Sequence, residues 1–303
     1  MTAVMPSPVV LPRAATLTDT LLAPAVQAVA EPHRAVLRER LRRELAGTVP
    51  GPGDGRLRID GYLVRTTCHA VPRAPEPGPF EWSARGARRT LGLAALRLCL
   101  TDHQAPATAV PAVMRAMLRG DPDGHDRPGS LGRWLSTLSA GARNAVLVEA
   151  VTWATSLHGS LAWQRVGHHA EIGGRDRWWD CPSAPGIGIR GRAEVRVPVP
   201  ARGAPVGTVG TVGTVREPAA GLALFSVMTG WPGPSSRSEL GVTALAHALL
   251  PGSPAPVRVV GWWPQTGRAL ALPVDRVLLD QAADTVLGVA WAVLGPRGAP
   301  PAA

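Results

Sequence analysis

Beyond residue 130, helical and strand-like patterns alternate along the chain, and this alternation limits the fold to a few architectures. The helical segments carry apolar residues three or four positions apart, whereas the strand-like segments are short and rich in β-branched residues. In chain order they are a helix at 131–159, strands at 160–172, 187–199 and 221–228, a helix at 237–250, strands at 255–264 and 266–274, and a helix at 276–294. This order predicts an α/β domain in which helices flank a mixed sheet.

A turn-rich segment divides the chain. Residues 121–130, DPDGHDRPGS, contain three Asp, two Pro and two Gly, a composition typical of loops. Before this segment the patterns predict helices at 33–45, 87–100 and 109–120 and a strand pair at 56–67 that bends at Asp60-Gly61. We therefore expect four parts: a flexible arm at 1–30, a mainly helical accessory module at 31–125, the α/β domain at 130–295 and a disordered tail at 296–303.

The composition indicates a soluble, cytoplasmic protein. A chain of 303 residues with 45% hydrophobic and 18% charged residues is typical of globular proteins. No uninterrupted apolar run approaches the about 20 residues that span a bilayer, and the N-terminal segment lacks the basic and apolar regions of a secretion signal. The three cysteines stand far apart without a C-x-x-C pair, which argues against a disulfide frame and a structural zinc site. We expect no membrane partner.

The net charge of +10 favours a polyanionic partner such as nucleic acid. Every basic residue is an arginine, and the sequence contains no lysine. Chemistry that needs a lysine ammonium is therefore excluded, while guanidinium groups remain well shaped for bidentate contacts with phosphate. A GC-rich coding bias that produces a solvated basic surface would give the same count.

Glu149 lies within the longest helical pattern, where its spacing places it in the apolar stripe with Val146 and Trp153. A carboxylate that faces a core costs several kcal/mol unless it is paired or binds a cation. Two interpretations stand side by side. Glu149 binds a metal ion, or it lies at the edge of the stripe and pairs with an arginine.

Glu194 lies in the strand-like segment RGRAEVRV, where period-two geometry places its side chain on one face with three arginines. These are Arg190, Arg192 and Arg196. The pattern fits a salt-bridged polar face, and it also fits a metal-binding acid beside a phosphate-binding surface.

Two further groups allow more than one interpretation. His169 and Glu171 share a strand face, so they either join Glu149 or Glu194 in a metal site or form a polar sheet edge. The tryptophans either stack on bases or belong to the core; they are the pairs 178–179 and 262–263, with Trp231.

The motifs that follow each other from residue 130 to 295 resemble the PD-(D/E)XK nuclease superfamily, in particular the exonuclease branch related to the RecB nuclease domain. The helix carries Glu149, RGRAEV carries Glu194, and LFSVMTG ends a strand in Thr-Gly. The helix SELGVTALAHALL and a closing strand, turn, strand and helix follow. The resemblance implies a restriction-endonuclease-like core.

Carried over to this chain, the resemblance implies a degenerate active site. The family's second strand aspartate falls on Ser226 and its lysine on Met228, while Glu194 stands for the first strand acid and Glu149 for the helix acid. The nuclease mechanism uses the strand acids to hold a metal ion that activates water, and the lysine to stabilise developing charge. We therefore expect no catalysis and no cofactor.

The sequence predicts a catalytically inactive PD-(D/E)XK-like protein that binds nucleic acid or scaffolds a DNA-processing partner. Phosphate contacts are expected from Arg190, Arg192 and Arg196. One alternative is an active Mg²⁺- or Mn²⁺-dependent nuclease with migrated ligands, drawn from Glu149, Glu194, His169 and Glu171. The other is a protein-interaction or regulatory module that has no role with nucleic acid.

Overall fold

The computed structural model describes residues 14–23, 28–46, 56–68, 82–120, 130–167, 170–173, 176–199 and 221–294. These residues form ten helices: α1 (Ala14–Leu22), α2 (Glu31–Leu45), α3 (Gly61–Cys68), α4 (Ala84–Thr101), α5 (Pro106–Arg119), α6 (Leu131–Thr137), α7 (Ala140–Ser160), α8 (Trp163–Val166), α9 (Ser236–Ala248) and α10 (Arg276–Leu294). They also form eight strands: β1 (Leu57–Ile59), β2 (Glu171–Ile172), β3 (Arg177–Asp180), β4 (Ile187–Gly191), β5 (Val195–Val199), β6 (Gly221–Val227), β7 (Pro256–Trp263) and β8 (Arg268–Pro273).

The chain divides into two compact units. The first comprises residues 1–12, 19–74 and 169–303, and the second comprises 13–18 and 75–168. The expected division at 121–130 falls inside the second unit, and residues 121–129 lie outside the described part of the chain. The accessory module expected at 31–125 is thus split between the units. The reason is that α2 buries three leucines in the core of the α/β unit and that β1 pairs with β4.

A five-stranded mixed sheet forms the centre of the first unit, with the order β2-β5-β6-β7-β8. β6 and β7 are parallel, whereas β5 pairs antiparallel with β6 and β8 pairs antiparallel with β7. The chain passes through α9 between the two parallel strands, as a parallel connection requires. The expected α/β class, with a mixed sheet and flanking helices, is therefore present.

A three-stranded sheet of order β1-β4-β3 belongs to the same unit, with β1 parallel and β3 antiparallel to β4. Ile59, Ile187 and Trp179 of this sheet are buried in the core, and α9 packs against β3 and β4. Gly191 at the end of β4 makes the approach to α9 possible. A Cβ atom there would lie 2.9 Å from the Thr243 carbonyl oxygen and from the Ala246 methyl group.

α9 is covered on all sides: residues 239–248 are all buried. α10 packs against α9 and α2 and buries eight apolar residues in the same core. By length and composition alone, α10 is also the one helix among the described residues that could cross a membrane. Its packed face indicates a core helix.

The second unit is helical where it is described. α4 packs against α5 and α7, and α6 packs against α5. Their shared core contains Leu91, Val110, Leu135 and Ala150 with the small side chains around them.

Several predicted elements differ from the observed ones because a capping residue interrupts the apolar pattern. Residues 56–67 form β1 followed by a helix, not two strands, since Asp60 accepts the backbone N–H of Leu63 at 3.0 Å in the manner of an N-cap. The helix predicted at 131–159 is two helices, because the Ser139 hydroxyl accepts the N–H of Ala142 at 3.2 Å and starts α7.

Two predicted strands are also interrupted. The segment 160–172 contains the short helix α8 before β2, and 187–199 breaks into β4 and β5. Within the arm expected at 1–30, residues 14–22 form α1. Residues 1–13, the Gly-Thr-Val repeats at 206–215 and the tail at 296–303 lie outside the described part.

Candidate functional site

Glu194 and Ser226, two of the positions that the nuclease resemblance assigns, lie side by side. Glu194 immediately precedes β5, and its backbone N–H donates to the Phe225 carbonyl of β6 at 2.8 Å. Its buried carboxylate is held at the end of β6, where Oε2 accepts the backbone N–H of Val227 at 2.7 Å. The Ser226 hydroxyl donates to the Arg192 carbonyl, also at 2.7 Å. Both side chains thereby tie the turn before β5 to the end of β6.

Met228, the position of the family lysine, lies against the apolar core. Its backbone N–H donates to the Trp262 carbonyl at 2.7 Å, and its side chain packs beside Gly261 of β7. A thioether carries neither a charge nor a transferable proton. Within the described ranges, no group of three or more His, Cys, Asp and Glu side chains is placed to hold a metal ion.

A partly buried polar network that the sequence did not reveal holds the connection from β6 to α9. Arg65 of α3 donates to the Thr229 carbonyl at 3.0 Å and lies 3.9 Å from the Glu239 carboxylate. Glu239 lies in the first turn of α9 and accepts the Ser235 hydroxyl at 3.0 Å. The network fixes the loop after β6, which includes the Thr-Gly pair. The predicted strand pair at 56–67 did not indicate this network, because Arg65 reaches the loop after β6 from the helix α3.

Glu149 lies on the second unit, on the exposed face of α7. Its carboxylate is half exposed and forms an ion pair with Arg88 of α4 at 3.3 Å. The buried face of α7 runs through Val146, Ala150 and Ala154, so the apolar stripe passes beside Glu149 without including it. The structure therefore supports the second interpretation, in which Glu149 lies at the edge of the stripe and pairs with an arginine.

The three arginines predicted as phosphate contacts do not follow one strand face, because the strand breaks at 192–194. Arg190 on β4 donates through Nε to Asp176 at 2.9 Å and lies 3.6 Å from Asp60. Arg192 lies in the turn, 3.6 Å from Glu194. The structure pairs each of these two arginines with a carboxylate.

The third arginine, Arg196, is buried on β5. It donates through two nitrogens to both oxygens of Glu171, at 2.9 and 2.7 Å. Glu171 also lies 3.6 Å from Arg177 of β3. Glu171 therefore belongs to a salt-bridged sheet edge, while His169 lies outside the described residues.

The exposed face of the three-stranded sheet carries a stacked cluster of cationic and aromatic side chains. The guanidinium groups of Arg58 and Arg190 each lie 5.3 Å from the centre of the Trp178 ring. A cavity of about 260 Å³ opens beside them, lined by Arg56, Arg58, Trp178, Asp180 and Gly188. Gly188 forms its floor, since a Cβ atom there would lie 3.0 Å from Asp180 Oδ1 and 3.4 Å from the Trp178 ring. We call this group the Arg-Trp face.

The tryptophans that the sequence singles out differ in burial. Trp262 and Trp263 are buried core residues, and Trp262 stacks on Phe225 with ring centres 6.1 Å apart. Trp179 is buried as well, while Trp178 takes part in the Arg-Trp face. Trp231 is 76% exposed in the loop after β6.

Comparison with known proteins adds no relative. No family model, no curated protein and no solved structure matches this chain.

Proposed function

We propose that the protein binds nucleic acid without cleaving it, on a degenerate PD-(D/E)XK-like core. The observation that carries the proposal is the Arg-Trp face. Exposed Arg56 and Arg58 border a cavity next to a tryptophan ring. Guanidinium groups bind phosphate by charge-assisted hydrogen bonds, and their flat faces stack on bases. A single strand, with its bases exposed, matches this combination better than a duplex does.

The nuclease-like features support the absence of cleavage in this proposal. The side chains of Glu194 and Ser226 both form hydrogen bonds at the end of β6, the strand that leads into α9. Their polar atoms bind the protein's own backbone, and Met228 supplies no charge. Since one transition-state contact is worth about 10²–10³ in rate, the loss of an acid and a lysine removes several orders of magnitude.

The binding test measures fluorescence anisotropy of labelled single-stranded DNA, single-stranded RNA and duplex DNA from 20 to 200 mM salt, roughly the range in which phosphate contacts dominate affinity. We expect binding at low salt that weakens steeply as salt rises. Arg58→Gln is expected to weaken it about tenfold and to reduce the salt slope by about 0.7 on a single strand. Arg276→Gln, which removes an exposed arginine at the start of α10, is the charge-matched control.

Four outcomes would contradict the proposal. Failure to retain any of the nucleic acids at low salt removes the binding function. Equal losses in Arg58→Gln and Arg276→Gln assign binding to net charge alone. Mg²⁺- or Mn²⁺-dependent cleavage that is lost in Glu194→Ala would establish the nuclease alternative, and salt-insensitive association with a protein, without nucleic-acid binding, would establish an interaction module.

A further inference from the structure

A second cavity, of about 280 Å³, lies within the first unit at the edge of the five-stranded sheet. It is bordered by β2, β3, the paired ends of β5 and β6, the last turn of α9 and the segment that follows it. Its lining residues are Glu171, Arg177, Arg196, Pro198, Leu222, His247, Leu250, Ser253 and Pro254. None of them lines the cavity of the Arg-Trp face, and none is Glu194, Ser226 or Met228.

One end of the cavity is polar and carries a net positive charge. Arg177 and Arg196 contribute two guanidinium groups, and Glu171 contributes one carboxylate that lies against both. Arg196 is only 3% exposed, so its charge acts in a region of reduced dielectric and is screened little by salt. A single negative charge on a ligand would balance this end of the cavity.

His247 in the last turn of α9 lines the same cavity and is 2% exposed. Its Nε2 atom is buried and has no hydrogen-bond partner among the described residues. Buried polar atoms are almost always paired, so an orphaned imidazole nitrogen marks a place where a partner is missing. Burial, together with the nearby Arg196 and Arg177, lowers the pKa of His247 from 6.5 to about 3, so the ring is neutral at pH 7.

The other end of the cavity is apolar. Pro198 and Leu222 are register partners on β5 and β6, and Leu250 and Pro254 from the segment after α9 also line the cavity. Small-molecule sites combine such apolar walls with a few convergent polar groups. The volume of about 280 Å³ equals about nine water molecules at about 30 Å³ each, which restricts the ligand to a small molecule.

We propose that this cavity binds a small organic anion, a carboxylate or a phosphate monoester. Its acidic group lies at Arg177, Arg196 and His247, and its short apolar part lies against Pro198 and Leu222. The acidic group balances the net positive charge that Arg177, Arg196 and Glu171 give this end of the cavity. The positive charge of the polar end disfavours amines, and the apolar lining favours a ligand with an alkyl part over inorganic phosphate.

Four probes of similar size test the proposal on the full-length protein: hexanoate, hexyl phosphate, hexanol and hexylamine, with inorganic phosphate as a fifth. Binding is measured by the shift of the His247 Cε1–H signal in NMR titrations, assigned with the His247→Gln variant. Hexanoate or hexyl phosphate is expected to shift this signal with saturation, while hexanol and hexylamine leave it unchanged. The better of the two anions distinguishes a carboxylate from a phosphate ligand.

Two variants test the site itself. Arg177→Gln, at an exposed part of the rim, is expected to weaken the anion about tenfold, or about 1.4 kcal/mol, and Arg276→Gln is expected to leave its affinity unchanged. Leu222→Trp fills the apolar end and is expected to abolish binding without a change of charge. Equal binding of hexanol and hexanoate, equal binding of inorganic phosphate, or no saturable shift with either anion would overturn the proposal.

Discussion

The Oε2 atom of Glu194 accepts a hydrogen bond from the backbone N–H of Val227 at 2.7 Å. The hydrogen bond joins the turn before β5 to the last residue of β6, so the buried carboxylate of Glu194 has a structural role. The hydrogen bond gives a reason for a carboxylate at this position that needs no metal ion.

This relationship leads to a stability prediction for Glu194. Replacement by alanine leaves the Val227 N–H buried without its acceptor, so Glu194→Ala is expected to lower the free energy of unfolding by about 1–3 kcal/mol. Glu194→Gln keeps an acceptor oxygen at the same place and is expected to cost far less. Urea denaturation followed by circular dichroism measures both. Equal losses in the two variants would show that charge, rather than the hydrogen bond, is what matters at this position.

The elements with strong apolar periodicity could be predicted from the sequence. β6, α9, β7 and α10 lie within one or two residues of their predicted bounds, because both strands and both helices bury long apolar patterns. The breaks could not be predicted. The alternation of RGRAEVRV continues through the turn at 192–194, so a two-residue period gives no sign that the segment serves two different sheets.

The partners of the charged residues could not be predicted from the sequence either. The spacing leaves open whether Glu149 lies inside the apolar stripe or pairs with an arginine at its edge, and Arg88, which pairs with it, lies 61 positions away in sequence. Arg58 and Trp178 are in contact because β1 and β3 flank β4 in the sheet. The sequences of β1 and β3 do not indicate that these two strands lie on either side of the same strand. Ion pairs and stacked rings depend on which strands are adjacent, and adjacency is a property of the whole sheet.

Gly191 is predicted to tolerate no side chain, because a Cβ atom there would lie 2.9 Å from three atoms of α9, one of them the Thr243 carbonyl oxygen. Gly191→Ala is expected to lower the free energy of unfolding by about 1–3 kcal/mol, the typical cost of overpacking. Gly288→Ala is the matched control. It lies on the exposed face of α10 with nothing within 4 Å, and it is expected to stabilise by up to about 1 kcal/mol. Thermal denaturation that ranks the two variants in the opposite order would contradict this packing.

Gly188 offers a test of the Arg-Trp face that changes no charge. A Cβ atom there meets the flexible end of Asp180 and the edge of the Trp178 ring, so Gly188→Val fills the floor of the cavity. We expect a several-fold loss of affinity for single-stranded nucleic acid, with a salt slope like that of the unaltered protein because the arginines remain. The salt dependence of anisotropy titrations measures both quantities. Unchanged affinity in a variant that folds normally would remove the cavity from the binding surface.

His247 predicts how stability depends on pH. Its pKa is about 3 in the folded protein, because the ring is buried and lies near Arg196 and Arg177, with Asp176 acting weakly in the opposite direction. The unfolded chain, with the ordinary pKa of 6.5, binds the proton first. The stability that the neutral ring contributes is therefore complete above pH 6.5 and is lost as the pH falls toward 3, by at most about 1.4 kcal/mol per pH unit. Urea denaturation from pH 7 to pH 4 is expected to show a steeper decline for the unaltered protein than for His247→Gln, whose side chain does not titrate. Carboxylates contribute equally to both curves, so parallel curves would mean that His247 is protonated in the folded protein as readily as in the unfolded chain.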